Sequence, residues 1–155
     1  MSLVAFALAG VLWFHPEAPD QDRLAVAIAT AAEEAPLFDD DVDGRRTAAL
    51  LVVTAWEESR FDRFAVGDSG RSCGLFGIWV GRSERRCRAI QEDVFGSARI
   101  ARDMLRESLR VCRARPVAER LGLYLGGSCG RGLPLSRRRW WLMKRLVAGE
   151  GRADR

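Results

Sequence analysis

Apolar residues fall in runs and at helical spacing along most of the chain, a pattern that predicts a mostly helical protein. An uninterrupted apolar run extends from Leu3 to Phe14. A helix capped by Asp20 is then expected to reach Ala35. After an acidic loop, Gly44 precedes a second apolar run, which predicts a buried helix that ends at Glu58.

The second half of the chain begins with a polar, glycine-rich stretch. Residues 62–83 are rich in Gly, Ser and Asp and predict a small lobe, with one hairpin around residues 65–78. A helix is expected next. Its predicted inner face consists of Val94, Ala98, Ala101, Leu105 and Cys112, and its predicted outer, solvated face of Arg99, Arg102, Arg106, Arg110 and Arg113.

Two further helices are predicted from capping signals. Pro116 suits the first position of a helix that reaches Leu125. Ser136 is interpreted as the N-cap and Gly149 as the C-terminal cap of a last helix. Trp140, Trp141, Leu142 and Leu146 are expected to fix that helix to the core.

We expect one domain over residues 20–149, an apolar segment with a proline-containing linker over residues 1–19, and a polar tail over residues 150–155. The run from Leu3 to Phe14 is too short to span a bilayer as a helix. No positively charged side chain precedes this run, since the first in the chain is Arg23, whereas a signal peptide has a basic N-terminal region. A trimmed or atypical export segment is favoured over a cropped anchor or a short helix packed on the domain.

Charge is polarised along the chain. Residues 1–50 carry a net charge of −6 and residues 51–155 a net charge of +10. A basic second half suits approach to an anionic polymer, either peptidoglycan with its attached acids or a nucleic acid. The run Arg137-Arg-Arg-Trp-Trp141 resembles single-strand binding patches, in which aromatics lie beside guanidinium groups. Packing of a terminal helix explains it more simply, and we expect no nucleic-acid partner.

The four cysteines are Cys73, Cys87, Cys112 and Cys129, and they allow three pairings if all are oxidised. Their separations and the single histidine make a zinc site a poor interpretation, so no metal is expected. We predict Cys73–Cys87 and Cys112–Cys129 disulfides, with four buried free thiols as the alternative. Two disulfides would indicate an oxidising compartment or a virion exterior.

The pair Glu57 and Glu58 places carboxylates at the end of a buried helix. Burial disfavours the charged form of a carboxyl group, so such a residue can keep a proton for a leaving group near neutral pH. The alternative is that both are solvated surface acids, because helix ends commonly turn outward.

Three blocks of sequence resemble the lysozyme-like superfamily, especially soluble lytic transglycosylases and goose-type and phage lysozymes. Glu58-Ser59-x-Phe61 is similar to the Glu-Ser-x-Phe that ends the catalytic helix of that family. The block Gly70-Arg-Ser-Cys-Gly-Leu-Phe-Gly-Ile78 is similar to its Gly-x-x-x-Gly-Leu-Met/Phe-Gln-Ile turn. Leu123-Tyr124-Leu-Gly-Gly127 resembles a degraded form of its Tyr-Asn-Ala-Gly helix end.

The resemblance implies a mostly α lysozyme-like domain with a small loop or hairpin lobe beside an active-site cleft. It implies cleavage of the bond between N-acetylmuramic acid and N-acetylglucosamine, with Glu58 as general acid and base and no cofactor. The implied substrate-binding residues are Ser59, Asp68, Leu75, Phe76, Gly77 and Tyr124. A transglycosylase needs one carboxylate, whereas a hydrolase would need a second, for which Asp62 and Asp68 are the candidates.

Two positions depart from the family. Gly77 stands where the family usually has Gln, and Leu125 where it usually has Asn. A catalytically impaired, peptidoglycan-binding or structural component of an envelope or phage assembly is therefore the first alternative. A basic helical protein that binds nucleic acid is the second. We expect an extracytoplasmic protein, periplasmic, secreted or virion-associated, that meets a membrane only through the N-terminal apolar segment, if at all.

Overall fold

The computed structural model describes residues 1–149, which form seven α-helices, a short 3-10 helix and one small sheet. The predicted tail, residues 150–155, lies outside the described residues. The helices are α1 (Leu3–Phe14), α2 (Gln21–Glu34), α3 (Arg45–Ser59), α4 (Glu84–Glu92), α5 (Val94–Val111), α6 (Gly122–Gly126) and α7 (Leu133–Ala148). The prediction of a mostly helical chain is confirmed.

Helix α3 lies at the centre of the molecule. Every residue from Thr47 to Ala55 is buried, as expected for a helix that is apolar on all sides. Helices α1, α2, α5 and α7 all contact it. The C-terminal turn of α3 emerges from this core, so the acids that follow the apolar run lie at its edge.

The N-terminal apolar run is a helix that packs on the domain. Along one side, α1 buries residues into the core against α2 and α3: Leu3, Phe6, Ala7, Gly10 and Val11. This is one of the two less favoured arrangements for residues 3–14. Across the described residues 1–149, no helix has the length and apolar character needed to cross a membrane.

The polar stretch folds into a three-stranded antiparallel sheet, a more elaborate structure than the single predicted hairpin. Its strands β1 (Val66–Gly67), β2 (Ser72–Cys73) and β3 (Ile78–Trp79) lie in that order. Cys73 pairs with both Val66 and Ile78 in the register of the sheet. We call residues 62–81 the β lobe. Helix α4, which the sequence analysis did not distinguish, follows it.

Both predicted disulfides are confirmed. Cys73–Cys87 joins β2 to α4, and Cys112–Cys129 joins the end of α5 to the loop after α6. Two disulfides are consistent with an oxidising compartment.

Helix α2 begins directly after Asp20, as predicted, but Asp20 makes no capping bond: its backbone is left-handed and its carboxylate lies 3.7 Å from Arg63. Two other predicted helix starts are wrong. Pro116 precedes only a 3-10 turn, Val117–Glu119, which is separate from α6. Helix α7 begins three residues before Ser136, with Pro134 in its first turn. The buried Ser136 hydroxyl instead donates to the Ala118 carbonyl and accepts from the Leu121 amide. The predicted Gly149 cap is confirmed.

The predicted inner face of α5 is buried, but the outer face is wrong at Arg102. The Arg102 guanidinium lies between α5 and the end of α2, where it donates to the Ala31 carbonyl at 3.0 Å. On α7, Trp140 and Leu142 are buried and Leu146 packs against the core. Trp141, by contrast, is 51% exposed and is no anchor.

Candidate active site

Glu58 lies in the last turn of α3, at the boundary between the helical core and the β lobe. Its side chain is 26% exposed, and its Oε1 accepts a hydrogen bond of 2.5 Å from Nη2 of Arg139. Arg139 projects from α7 and its side chain is only 4% exposed. A buried guanidinium therefore fixes one oxygen of the carboxylate in place.

The second oxygen of Glu58 lies against the backbone of Gly77. A Cβ atom built at residue 77 would come within 2.5 Å of Glu58 Oε2, and φ of Gly77 is +59°. Glycine is the residue that tolerates this backbone conformation, and its missing side chain makes room for the carboxylate. The absence of a side chain at residue 77 is thus coupled to the position of Glu58.

A groove runs between Glu58 and the β lobe, with a volume of about 240 Å³. Its lining residues are Glu58, Ala65, Val66, Gly67, Asp68, Ser72, Cys73, Gly74 and Gly77. Asp68 and Glu58 are its two carboxylates. Asp68 is exposed in the turn between β1 and β2 and has a left-handed backbone with φ of 51°. Asp62 lies outside the lining, and its carboxylate accepts from the Phe64 amide in a local turn.

Ser59 and Tyr124 hold the segment that leads into Gly77. The Ser59 hydroxyl donates to the Leu75 carbonyl at 2.9 Å, and the Tyr124 hydroxyl donates to the Phe76 carbonyl at 2.5 Å. Leu75 and Phe76 are buried, so their side chains belong to the core. Of the predicted substrate-binding residues, these four position the groove wall, whereas Asp68 and Gly77 line the groove itself.

The electrostatic environment of Tyr124 links it to the acid. Burial raises the pKa of the Tyr124 phenol well above its usual range, and the nearby Glu58 charge raises it further, while Arg139 opposes the shift. The guanidinium of Arg139 lies 5.9 Å from the centre of the Tyr124 ring. Tyr124 remains a neutral hydroxyl donor at any physiological pH.

Glu57 occupies a different environment. Its side chain is 9% exposed and is not among the residues that line the groove, and its Oε1 lies 3.4 Å from Arg138 and 3.8 Å from Arg60. The motif nominated Glu58 over Glu57, and of the two only Glu58 reaches the groove.

Sequence reasoning missed Arg139. Packing of a terminal helix was the favoured interpretation of the run that contains it, but that interpretation rested on the tryptophans and leucines and gave the arginines no role. All three arginines face carboxylates: Arg137 contacts Glu119, Arg138 contacts Glu57 and Arg139 contacts Glu58. The spacing of residues along α7 could have indicated its position. Ser136, Arg139, Trp140 and Met143 follow helical spacing and are all buried, so Arg139 lies on the inward face of α7.

Within residues 1–149, no group of three or more His, Cys, Asp or Glu side chains is arranged to hold a metal ion. Comparison of the chain with protein-family models, with curated proteins and with solved structures finds no match to any of them.

Proposed function

We propose that this protein cleaves the glycan strand of peptidoglycan at the bond between N-acetylmuramic acid and N-acetylglucosamine, with Glu58 as general acid and base. The observation that carries the proposal is the Glu58 carboxylate, held by Arg139 through Oε1 and placed with Oε2 at the wall of an open groove. The similarity of the Glu58-Ser59-x-Phe61 and Gly70–Ile78 blocks to lytic transglycosylases and lysozymes supports it.

In this mechanism Oε2 of Glu58 is the oxygen that exchanges a proton, because Oε1 is occupied by Arg139. Glu58 delivers a proton to the glycosidic oxygen as the bond opens through an oxocarbenium-like transition state. The resulting carboxylate then accepts the proton of the attacking hydroxyl. Arg139 stabilises the negative charge that Glu58 carries between the two steps.

The nature of the attacking group depends on whether a second carboxylate takes part. We favour a lytic transglycosylase, in which the 6-hydroxyl of the muramic acid attacks and Glu58 suffices. Asp62 is engaged in a turn, which leaves Asp68 as the residue that would orient water in a hydrolase.

The two disulfides fit an extracytoplasmic location, where peptidoglycan is found. The alternative of a peptidoglycan-binding protein that has lost catalysis keeps the same groove but requires no proton transfer at Glu58.

Clearing of purified sacculi by three variants tests the proposal. Glu58→Gln keeps the size of the side chain but removes the transferable proton, so the rate is expected to fall about 10²- to 10⁴-fold. Glu57→Gln, the matched control one residue away, is expected to retain activity. Asp68→Asn distinguishes the two routes, since only a hydrolase would lose activity. The assignment of Glu58 would be overturned if Glu57→Gln lost activity to this extent while Glu58→Gln remained fully active.

A further inference from the structure

An open cavity adjoins the groove and shares Val66 with it. Its volume is about 410 Å³, which is in the range of small-ligand sites. Its walls include Val66 and Gly70 from the β lobe, and Arg82, Glu84, Arg88 and Gln91 from α4 and the residues just before it. We call it the α4 cavity. Because the exposed Val66 lines both the α4 cavity and the groove that contains Glu58, a branched ligand can occupy the two together.

Two cross-links hold the walls of the α4 cavity in place. The Cys73–Cys87 disulfide joins β2 to α4, and Cys87 itself lines the cavity. The Gln91 side chain donates to the Phe64 carbonyl at 3.0 Å, which ties the end of α4 to the chain before β1. The cavity is therefore formed by elements that are joined to each other, and a preformed site lowers the entropic cost of binding.

The charged side chains of the α4 cavity have no partner within the described part of the protein. Among residues 1–149, the side chains of Arg82, Glu84 and Arg88 make no hydrogen bond and no ion pair. Other arginines of the basic half do contact carboxylates, as Arg99 contacts Glu34 at 2.6 Å. The α4 cavity thus presents two positive charges and one negative charge that a ligand can meet.

Helix α4 concentrates positive charge that its own structure does not favour. Arg85 and Arg86 lie in its first turn, where the helix dipole favours acidic residues. Arg85 and Arg88 are three positions apart, so like charges are neighbours on the helix surface. A ligand that brings carboxylates to this surface would relieve both effects.

We propose that the α4 cavity binds the peptide stem that branches from a muramic acid in the groove, with Arg82 and Arg88 on the carboxylates of the stem. The inference rests on the proposed function. An extended peptide spans about 3.3–3.6 Å per residue, so a few residues of the stem reach past Val66. Guanidinium groups bind carboxylates through paired, charge-assisted hydrogen bonds. Glu84 supplies the opposite charge for a free amino group of the stem.

A phosphate polymer is a less suitable occupant. Glu84 would repel phosphates, whereas a peptide that carries both carboxylates and an amino group can use all three charged side chains. Nucleic acids are commonly bound by aromatic side chains that stack on the bases, and no aromatic residue lines the α4 cavity.

Binding of soluble glycan strands, measured by fluorescence anisotropy at low salt, tests the inference. The protein carries Glu58→Gln so that the strands stay intact, and the strands either keep their peptide stems or have been stripped of them by an amidase. Strands with stems are expected to bind at least about tenfold more tightly, because each hydrogen bond to a charged group contributes about a factor of ten. Adding Arg82→Gln and Arg88→Gln is expected to abolish this preference and to leave the binding of stripped strands unchanged.

The matched control combines Arg113→Gln with Arg115→Gln. It removes the same charge at exposed positions that line neither the groove nor the α4 cavity, so the preference for stems should remain. Equal binding of both kinds of strand by the Glu58→Gln protein would overturn the inference and leave the groove as a glycan site. Loss of the preference in the control as well would also overturn it.

Two further outcomes separate this inference from the proposed function and from its rival. A preference for stems that depends on Arg82 and Arg88, without any release of muropeptides by wild-type protein, would support the inference and reject cleavage. Binding of duplex DNA that depends on the same two arginines, with no preference for stems, would refute the inference and assign the α4 cavity to a phosphate polymer. Absence of binding to either kind of strand would reject both the inference and the proposed substrate.

Discussion

Residue 77 determines how close the β lobe comes to the Glu58 carboxylate. The atom that a new Cβ would meet is the far end of a flexible side chain, so Gly77→Ala can be accommodated by moving Glu58. Alanine in the left-handed conformation costs about 1–2 kcal/mol. We therefore expect a modest loss of stability, but a fall in the rate of sacculus clearing of about 10²-fold, because the proton donor is displaced.

Gly70→Ala is the matched control for this prediction. Gly70 also has a positive φ, +87°, but a Cβ atom added there would meet no other atom within 4 Å. Both variants should lose similar stability in denaturant unfolding, and only Gly77→Ala should lose activity. Equal activity in the two variants would show that the contact between residue 77 and Glu58 does not matter for catalysis.

Tyr124 is the one tyrosine in the sequence, so its ionisation can be followed directly. Burial and the Glu58 charge raise its pKa above the ordinary value of 10.0. In the folded state the phenol should stay neutral as pH rises past that value, whereas in the unfolded chain it ionises. The free energy of unfolding should therefore be unaffected below about pH 10 and decrease above it.

A spectrophotometric titration checks this prediction. Tyrosinate absorbance should appear only together with alkaline unfolding, and in denaturant it should appear at the ordinary pKa. The Tyr124→Phe variant gives the baseline. A reversible tyrosinate step in folded protein near pH 10 would mean that the phenol is not held in the buried contact with Phe76.

The residues of the site differed in how well the sequence predicted them. Glu58 could be singled out because an apolar helix ends there and a motif surrounds it. The roles of Leu75 and Phe76 could not, since their carbonyls bind Ser59 and Tyr124 while their side chains join the core. A hydrogen bond to a backbone carbonyl does not depend on the side chain of that residue, so the sequence does not reveal it.

Helices with one uniformly apolar side were predicted well. Prediction was poorer where the burial of a residue depends on contacts with parts of the chain that are distant in sequence. The inner face of α5 followed from its spacing alone. The burial of Arg102 could not be predicted from spacing, because it depends on the carbonyl of Ala31 in α2, 71 positions earlier in the chain. Helix α4 has nine residues and none that is fully buried, so its short apolar side, Cys87 and Ile90, was a weak signal for a helix.

The two disulfides tie different elements and should have separable effects. Closed loops of this size, with separations of 14 and 17 residues, stabilise a fold by about 3 kcal/mol each. The pair of substitutions Cys73→Ser and Cys87→Ser frees β2, whose residues Ser72 and Cys73 line the groove, so both stability and activity should fall.

Removal of Cys112–Cys129 serves as the control, because neither residue lines the groove. Denaturant unfolding should show a similar loss of stability, while sacculus clearing below the unfolding transition should be retained. If the two double variants lose activity to the same extent, the β lobe does not depend on its own disulfide for its shape.

At the scale of the whole molecule, contacts between the acidic and the basic half of the chain partly neutralise the charge of each. Arg99 and Arg102 of the basic half contact Glu34 of the acidic half at 2.6 and 3.5 Å. Arg106 donates to the Ala35 carbonyl at the end of α2. Fewer arginines of the second half are therefore available to bind a polymer than the sequence indicated.

We propose that Glu58 cleaves the glycan strand, and the muropeptides released from purified sacculi test this proposal most directly. Mass spectrometry should find anhydro-muramic products with wild-type protein and none with Glu58→Gln. Reducing-end products would instead show hydrolysis and direct attention to Asp68. Absence of any product from wild-type protein, under conditions in which a control lysozyme releases muropeptides, would contradict the claim.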